Sequence, residues 1–395
     1  MSNNSNIIIV IPTYWTWPSA QANGPVDAAY DHPTPLDGES TLPRLLDCLV
    51  KLKGAPFGVL VITAVVHPDL EESAAQRVEA LMRLYRLHFP ITQFAAADLQ
   101  LLRERVAAVD FDPSIVALRD YATVRNCQLI IPHLMGSEVV VALDDDEVVE
   151  PDYLRVATEF VSEERPGIGG FYLDPKSGVL LPEGEPTGNP FLDKSAIMNE
   201  GTRSIQDIPG RLVPTPVILG GNMVFHRSLW ERVSFDPWIT RGEDIDYLIN
   251  ARLHGHKFYF DKELSITHLP PEAYGAHPYA KLAQDVVRFI YERSKLLLAC
   301  ERSMLVTVEP QDLDPYPGQL LQENVAAQAL AALQLLATPD VVARHGSPEQ
   351  IVEQAKQWAR EAPLRYFEFA QEWPRLLDEL NRDAVLRGHW NRTET

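Results

Sequence analysis

The feature that most constrains the fold of this chain is an apolar run that ends in three consecutive acids. Residues 139–143 read Val-Val-Val-Ala-Leu, and Asp144, Asp145 and Asp146 follow at once. An unbroken apolar run rich in β-branched residues is typical of a strand that is buried on both faces of a sheet. Ligands of open α/β sheets bind beyond the carboxyl ends of the strands. The acids therefore predict a binding site at the edge of a sheet.

The spacing of the three acids predicts which of them act together. Side chains alternate along an extended backbone, so we expect Asp144 and Asp146 to project to one side and Asp145 to the other. Two carboxylates on one side supply hard oxygen ligands for a divalent cation. A calcium loop of the EF-hand type is disfavoured, because the segment lacks glycine at the sixth position and glutamate at the twelfth.

Strand and helix patterns alternate along the first part of the chain. Apolar runs predict strands, and helical spacing of apolar residues predicts helices between them: strands at 7–11, 59–66, 91–96 and 139–143, and helices at 42–49, 71–88, 99–109 and 120–134. Such alternation predicts a doubly wound α/β sheet. Glycines and prolines are frequent from 166 to 216, where we expect a strand at 168–173, a hairpin with 179–181 and a long irregular loop.

The strand signals end at Pro270-Pro271. Before that point the sequence predicts a strand at 217–225, a helix at 243–254 and strands at 257–260 and 264–268. Beyond it, only helices are predicted, at 280–300 and 320–337, from the cap Ser347-Pro348, and from Pro363. We therefore expect an α/β domain over residues 1–270 and a helical extension over 271–395.

The helix at 280–300 is predicted to bury one apolar face. Its apolar positions are Ala283, Val286, Ile290 and Leu297, whereas the polar side chains lie elsewhere on the helix. Those polar residues include Arg288, Tyr291, Arg293 and Lys295. We predict that these polar residues form a solvent-exposed face of the helix. The alternative is that they contact an anionic acceptor.

Composition excludes several classes of protein. Lys+Arg 35 against Asp+Glu 55 gives a net charge of -20, which argues against a nucleic-acid partner because such binding needs basic counter-charge. Three widely spaced cysteines without a Cys-x-x-Cys pair argue against zinc or disulfide frameworks and suit a reducing compartment. The sequence has no signal-peptide pattern and no apolar stretch near the roughly 20 residues of a membrane helix. We expect a cytoplasmic protein without a transmembrane segment.

Five segments, taken in order, resemble a known enzyme family. They are the strand end Pro12-Thr13-Tyr14, the helix with Arg125-Asn126, the acids with Glu150-Pro151-Asp152-Tyr153 after them, Gly220-Gly221-Asn222, and Arg241-Gly242-Glu243-Asp244. Their order resembles that of GT-A glycosyltransferases, in particular glycosyltransferase family 2 and its relatives, over about residues 7–268. The resemblance implies a Rossmann-like mixed sheet of the nucleotide-diphospho-sugar transferase type. Its donor-binding half would span about 1–150 and its acceptor half about 151–270.

The resemblance also implies a metal-dependent hexosyltransferase. Such an enzyme moves a sugar from a UDP- or GDP-linked donor to a hydroxyl acceptor, and a divalent cation, Mn²⁺ or Mg²⁺, neutralises the leaving diphosphate. The implied metal ligands are Asp146, Asp144 and His268, and an imidazole suits Mn²⁺ better than Mg²⁺. The implied donor-binding residues are Pro12, Thr13, Tyr14, Arg125, Asp144, Asp145, Gly221 and Asn222.

The resemblance implies that the pair Glu243-Asp244 supplies the catalytic carboxylate. Asp244 would be the general base if the reaction inverts the anomeric centre, or would orient the acceptor if configuration is retained. Glu243 belongs to the same turn, and for both acids stabilisation of a helix N-terminus is the structural alternative. Trp238 and Arg241 are predicted to contact the acceptor, because an indole can stack on the apolar face of a sugar. Burial in the core would explain Trp238 as well.

Two other functions stay open at this stage. Nucleotidyl transfer to a sugar phosphate also uses an α/β sheet with acidic metal ligands, although the Gly-rich basic loop that it needs after the first strand is absent here. A non-catalytic sugar-nucleotide-binding or scaffold protein would use the helical extension for assembly. The same extension is the segment through which we would expect a homo-oligomer.

Overall fold

The strands form one sheet. The computed structural model describes residues 6–21, 24–25, 30–218, 220–239, 241–271, 278–302 and 305–390. Within these ranges no helix is long and apolar enough to cross a membrane. The strands found there are β1 (Ile7–Thr16), β2 (Thr34–Pro35), β3 (Gly58–Val65), β4 (Ile91–Phe94), β5 (Val139–Ala142), β6 (Glu147–Val148), β7 (Gly167–Leu173), β8 (Leu212–Thr215), β9 (Met223–His226) and β10 (Phe258–His268).

Helices cover the sheet and continue beyond its last strand. Those in the described residues are α1 (Leu42–Leu49), α2 (Glu71–Met82), α3 (Ala96–Ala108), α4 (Tyr121–Leu134), α5 (Tyr153–Glu159), α6 (Lys194–Asp207), α7 (Arg227–Trp230), α8 (Glu243–Leu253), α9 (Pro278–Cys300), α10 (Val325–Leu336), α11 (Pro339–His345), α12 (Pro348–Arg382) and α13 (Ala384–Trp390). The predicted mixed α/β sheet with a C-terminal helical extension is confirmed.

The order of the strands brings the acids to the centre of the sheet. It runs β4-β3-β1-β5-β9-β7-β10-β6, with β2 beside β1 and β8 beside β10. The first four strands are parallel, whereas β9 is antiparallel to both β5 and β7. β1 and β5 are therefore central, and their apolar runs are buried as the sequence predicts. The strand order reverses between β1 and β5, and such a switch point places a crevice at the carboxyl ends of the two strands.

The region from 166 to 216 differs from the prediction. Val179–Leu181 form no strand; a single bridge between Asp174 and Gly178 closes a tight turn instead. The expected irregular loop contains α6 and β8, and β8 pairs antiparallel with β10. The predicted strand at 217–225 is confined to β9. Pairing with a distant strand, rather than local propensity, decides where these elements form.

The helical extension also differs from the prediction. α12 is one helix of 35 residues that contains Pro363 and Pro374, so Pro363 does not begin a separate helix. Its apolar stripe packs along α9, and this tertiary packing outweighs the hydrogen bonds that the prolines remove. The prediction of a solvated face on α9 is wrong for three residues, because Arg288 is 4% exposed, Tyr291 is 1% exposed and Lys295 is fully buried.

A buried ion cluster fastens α9 to the sheet domain. Nζ of Lys295 lies 2.6 Å from Asp236 Oδ2 and 2.5 Å from Asp246 Oδ1, and all three side chains are fully buried. Burial lowers the pKa of Lys295, but the two carboxylates outweigh this effect and hold the pKa above its ordinary value. The Tyr291 hydroxyl donates to Asp236 at 2.5 Å and adds a second contact from the same helix.

His133 in α4 provides a test of the packing of this core. Its ring is 3% exposed, and neither ring nitrogen forms a hydrogen bond within the described residues. Burial first, and then the nearby Arg227, lower the pKa of His133 to about 4. The folded chain therefore resists a proton that the unfolded chain accepts near its ordinary pKa of about 6.5.

We predict that acid destabilises the protein partly through His133. Between pH 6.5 and 4 only the unfolded state binds this proton, so the free energy of unfolding should fall by about 3 kcal/mol from this residue alone. Urea denaturation at pH 7, 6, 5 and 4 of the wild type and of His133→Leu isolates this contribution from that of the carboxylates. Equal pH dependence in the two proteins would contradict the prediction.

Candidate functional site

A polar cavity of about 410 Å³ opens where β1 and β5 end and α8 begins. Many of the residues predicted for the site line it, namely Tyr14, Arg125, Asp144, Asp145, Asp146, Gly221, Arg241, Glu243, Asp244 and His268. It is also lined by residues that sequence reasoning did not assign to a site, including Asp31, His32, Tyr172, Lys194, Arg288 and Tyr316.

The three acids lie in a turn and not in an extended strand. Residues 145 and 146 form the turn between β5 and β6, and the N–H of Glu147 donates to the carbonyl of Asp144 at 3.2 Å. The alternation argument therefore does not apply to these side chains. Asp144 and Asp146 instead have different partners. The Asp144 carboxylate accepts from Arg125, and the Asp146 carboxylate lies beside His268.

Arg125 lies beneath the cavity between two carboxylates. Its Nη2 donates to Asp144 at 3.0 Å, its Nε to Glu243 at 3.4 Å and its Nη1 to Gln128 at 3.0 Å. The side chain is 3% exposed. Burial raises the pKa of Asp144, and the guanidinium opposes that shift. Because these donors are in use, Arg125 fixes the end of β5 against the start of α8.

Asp146 and His268, two of the three predicted metal ligands, lie side by side. Nε2 of His268 lies 3.1 Å from Oδ2 of Asp146. β6 and β10 pair antiparallel with Glu147 opposite His268, and the N–H of Leu269 donates to the carbonyl of Asp146 at 2.8 Å. The backbone thus holds the carboxylate and the imidazole together. Asp144, the third predicted ligand, is bonded to Arg125 instead, and no three such side chains converge within the described residues.

The donor chemistry of this corner fits a divalent cation. Oδ2 of Asp145 is buried and has no hydrogen-bond partner among the described residues. Burial, and then the charge of Asp146, raise the pKa of Asp145 to about 8. A carboxylate and an imidazole beside such a group supply hard oxygen and nitrogen ligands, with room for oxygens from a ligand.

Asp244 faces the same cavity from the first turn of α8. Its Oδ2 accepts from the N–H of Gly220 at 3.0 Å, and its Oδ1 accepts from the N–H of Ile245 at 2.8 Å. Each carboxylate oxygen keeps lone pairs for a ligand, because each accepts only one of these bonds. Glu243 is turned away towards Arg125, and burial followed by the Asp244 charge raises its pKa to about 7.

Two predicted donor-binding segments support the cavity from behind. Pro12 and Thr13 are buried in β1 and are not part of the cavity lining, whereas Tyr14 is. Asn222 is fully buried, donates to the carbonyl of Phe171 at 3.0 Å and accepts from the Tyr153 hydroxyl at 2.9 Å. Asn222 therefore fixes the backbone beside Gly221. Its buried position does not indicate direct contact with a ligand in this cavity.

Trp238 is placed away from the cavity. Its ring meets Phe369 of α12 at a centroid distance of 5.9 Å and an angle of 82°, and its carbonyl accepts from Trp358 Nε1 at 3.0 Å. The indole packs on the helical extension because that surface offers aromatic partners. The predicted acceptor contact of Trp238 is wrong for this cavity. Arg241 does line the cavity and donates to Asp31 at 2.9 Å.

Apart from Tyr172 of β7, the cavity residues named above that the sequence did not assign to a site come from three segments. The loop after β1 adds Asp31 and His32, the helix α6 adds Lys194, and the helical extension adds Arg288 and Tyr316. None lies directly at the end of an apolar run, the signal that pointed to the acids after β5. The rings of Tyr14, Tyr30 and Tyr121 form an aromatic cluster with centroids 4.4 to 5.2 Å apart.

Comparison with known proteins gives structural likenesses only. The sequence matches no protein-family model, and no curated protein is significantly similar to it. A mannosyltransferase from Pyrobaculum calidifontis, solved with GDP-Man and Mn²⁺, is 13% identical, with a TM-score of 0.44 over 95% of this chain and 86% of that chain. Glucosyl-3-phosphoglycerate synthase from Mycobacterium tuberculosis, solved with Mn²⁺, UDP and phosphoglyceric acid, is 16% identical, with a TM-score of 0.35 over 71% and 78%. Such scores carry no function to this chain.

Gly221 gives a test of how tightly the cavity wall is packed. A Cβ atom at this position would lie 1.7 Å from Oε1 of Glu147, which is fully buried. Oε2 of the same carboxylate accepts from the N–H of Asp144 at 3.0 Å, so Glu147 cannot move without disturbing the acid turn.

We predict that Gly221→Ala lowers the free energy of unfolding by about 1–3 kcal/mol, because overpacking of a buried site costs that much. Gly184→Ala is the matched control, since a Cβ there meets nothing within 4 Å. Urea denaturation of both variants measures the effect. Equal stability of the two variants would contradict the prediction, because it would show that Glu147 can move to accommodate the added methyl group.

Proposed function

We propose that the chain is a metal-dependent glycosyltransferase of the GT-A type, which moves a sugar from a nucleoside-diphosphate donor to a hydroxyl acceptor. One observation carries the proposal: the Asp146–His268 pair and the Asp244 carboxylate line one cavity at the carboxyl edge of the sheet. The first two can hold a cation at a leaving diphosphate, and the third can meet an acceptor hydroxyl. The order of the motifs along the sequence supports the same assignment.

The donor is assigned to the corner around the acid turn. Asp146 and His268 would hold the divalent cation, with Mn²⁺ favoured by the imidazole, and the cation would neutralise charge on the departing diphosphate. Asp145 lies beside this pair; its pKa of about 8 leaves it mostly protonated at pH 7, and a bound cation would favour its ionised form. The aromatic cluster of Tyr14, Tyr30 and Tyr121 lies at the end of β1, where the base of the nucleotide is assigned.

Asp244 is assigned to the acceptor. In an inverting transfer it takes the proton of the acceptor hydroxyl while that oxygen bonds to the anomeric carbon and the bond to the diphosphate oxygen breaks. Its two backbone N–H contacts fix the carboxylate before the substrate arrives. In a retaining transfer the same contacts would let Asp244 orient the acceptor.

Arg125 and Glu243 are assigned positioning roles. The guanidinium neutralises Asp144 and Glu243 and so holds β5 and α8 at a fixed separation. Glu243 affects the reaction by positioning Arg125, and it makes no direct contact with the acceptor. This assignment replaces the donor-binding role that the resemblance implies for Arg125.

We predict that nucleotide binding depends on Mn²⁺ through Asp146 and His268. Addition of UDP or GDP at about 100 times its Kd should stabilise the wild type by about 2.7 kcal/mol when Mn²⁺ is present. Asp146→Asn and His268→Ala should lose this stabilisation, whereas Asp207→Asn on the exposed end of α6 should keep it. Thermal unfolding with and without Mn²⁺ measures it. Absence of stabilisation by either nucleotide in the wild type would refute the proposed function.

We predict that Asp244→Asn lowers kcat by about 10²–10⁴-fold, because an amide cannot accept the acceptor proton. Stabilisation by nucleotide and Mn²⁺ should persist, since Asp244 belongs to the acceptor side. Release of nucleoside diphosphate from a panel of UDP- and GDP-sugars gives the rates. Wild-type turnover in this variant would remove Asp244 from its catalytic role.

A further inference from the structure

Arg288 of α9 reaches the cavity with an unused donor. Its Nε donates to Glu292 at 2.9 Å and its Nη1 to the Tyr316 hydroxyl at 3.3 Å. Its Nη2 is buried and has no hydrogen-bond partner among the described residues, although the side chain is 4% exposed and lines the cavity. Buried guanidinium donors are normally paired, so this one requires an explanation.

Arg288 lies close to Asp244, the residue assigned to the acceptor. A Cβ atom on Gly242 would lie 2.0 Å from its Nη1, so the guanidinium lies against the backbone two residues before Asp244. Gly242 adopts a left-handed φ of 68° there and begins α8. The proposed metal ligands belong to other elements, the acid turn and β10. Between the two regions lies Arg125, whose cationic charge is already neutralised by Asp144 and Glu243.

Further cations surround Arg288. Lys194 of α6 lines the same cavity and bonds Asp285, the other carboxylate of α9 in this region. Burial lowers the pKa of Lys194, Asp285 opposes the shift, and the charges of Arg288 and Arg241 add to it. Glu292 only partly offsets Arg288, because burial raises the pKa of this carboxyl to about 7.

A purely structural role does not account for this arrangement. Arg125, the other buried arginine of the cavity, directs all three of its nitrogens to protein side chains. Arg288 instead leaves Nη2 without a partner among the described residues, and its side chain belongs to the cavity lining. An incoming oxyanion would complete this arrangement, because guanidinium and ammonium groups bind carboxylates and phosphates through charge-assisted hydrogen bonds.

We propose that Arg288, Lys194 and the Tyr316 hydroxyl form an oxyanion subsite, and that the acceptor carries a carboxylate or a phosphate in addition to the hydroxyl that receives the sugar. The identity of the ligand as the acceptor rests on the proposed function; the anion subsite itself does not. The anionic group holds the acceptor at one end while Asp244 meets its hydroxyl. The helical extension thereby contributes to the choice of substrate.

The subsite is tested first without nucleotide or metal. Inorganic phosphate and malonate are titrated into the protein in EDTA, and calorimetry gives their affinities. We expect saturable binding of one of the two anions, weakened about 10- to 100-fold in Arg288→Gln and in Lys194→Met, since hydrogen bonds to charged groups contribute this much. Arg203→Met, which removes one charge from an exposed position of the same helix α6, is the matched control and should bind as the wild type does.

Folding is checked by thermal unfolding, and Tyr316→Phe provides a milder change if Arg288→Gln unfolds. This variant removes only the hydroxyl and should weaken the same anion to a smaller extent. Equal anion affinity in the wild type and in Lys194→Met and Tyr316→Phe would overturn the subsite.

An acceptor panel then identifies the anionic group. Glucose, glucuronate and glucose 6-phosphate share a sugar ring, as glycerol, glycerate and glycerol 3-phosphate share a three-carbon chain. Within each set we expect the carboxylate-bearing or the phosphate-bearing acceptor to have the lowest KM. We expect Lys194→Met to raise the KM for that acceptor and to leave the KM for the sugar donor unchanged. Neutral acceptors that perform as well as charged ones would refute the acceptor assignment while leaving the transferase intact. Anion binding without any nucleotide stabilisation would support the subsite and refute the transferase.

Discussion

The structure of the site depends on one buried cation, Arg125. Its guanidinium joins the end of β5 through Asp144 to the start of α8 through Glu243, and both partners belong to elements far apart in sequence. Removal of Arg125 would leave two buried carboxylates without a counter-charge, and the loss of one partner of a buried ion pair costs about 3–5 kcal/mol in proteins. The separation between the acid turn and Asp244 is therefore set by an electrostatic contact, and the two halves of the proposed reaction share one support.

The predictable part of the site is the part that local sequence pattern controls. The apolar runs of β1 and β5 and the acids that follow β5 reveal a sheet edge, because burial of such runs leaves few alternatives. The side-chain directions of Asp144 and Asp146 were not predictable, since they depend on Arg125 and His268, which lie 19 and 122 residues away. The boundary of the helical extension, its self-association and a cytoplasmic location stay predictions.

The charged residues of α9 show why the extension was misread. Opposite charges four residues apart, such as Arg288 and Glu292, are typical of exposed helix surfaces. Here the pair is buried, while Leu297 of the predicted apolar face is 56% exposed. The helix is surrounded by α6, α10, α12 and the turn before α8, so its periodicity does not identify a single buried face. Lys194 escaped notice for a related reason, because its helix lies in a segment rich in glycine and proline.

The cluster of Lys295 with Asp236 and Asp246 has a consequence for how such a chain can change in evolution. The cation belongs to the extension, whereas both anions belong to the sheet domain, and all three are inaccessible to water. A sheet domain that exchanged its extension for another would retain two buried carboxylates without a counter-charge. The extension is thus not a module that can be transplanted freely. A successful recombinant would have to inherit residues 236, 246 and 295 together, or replace all three by apolar residues that fill the same space.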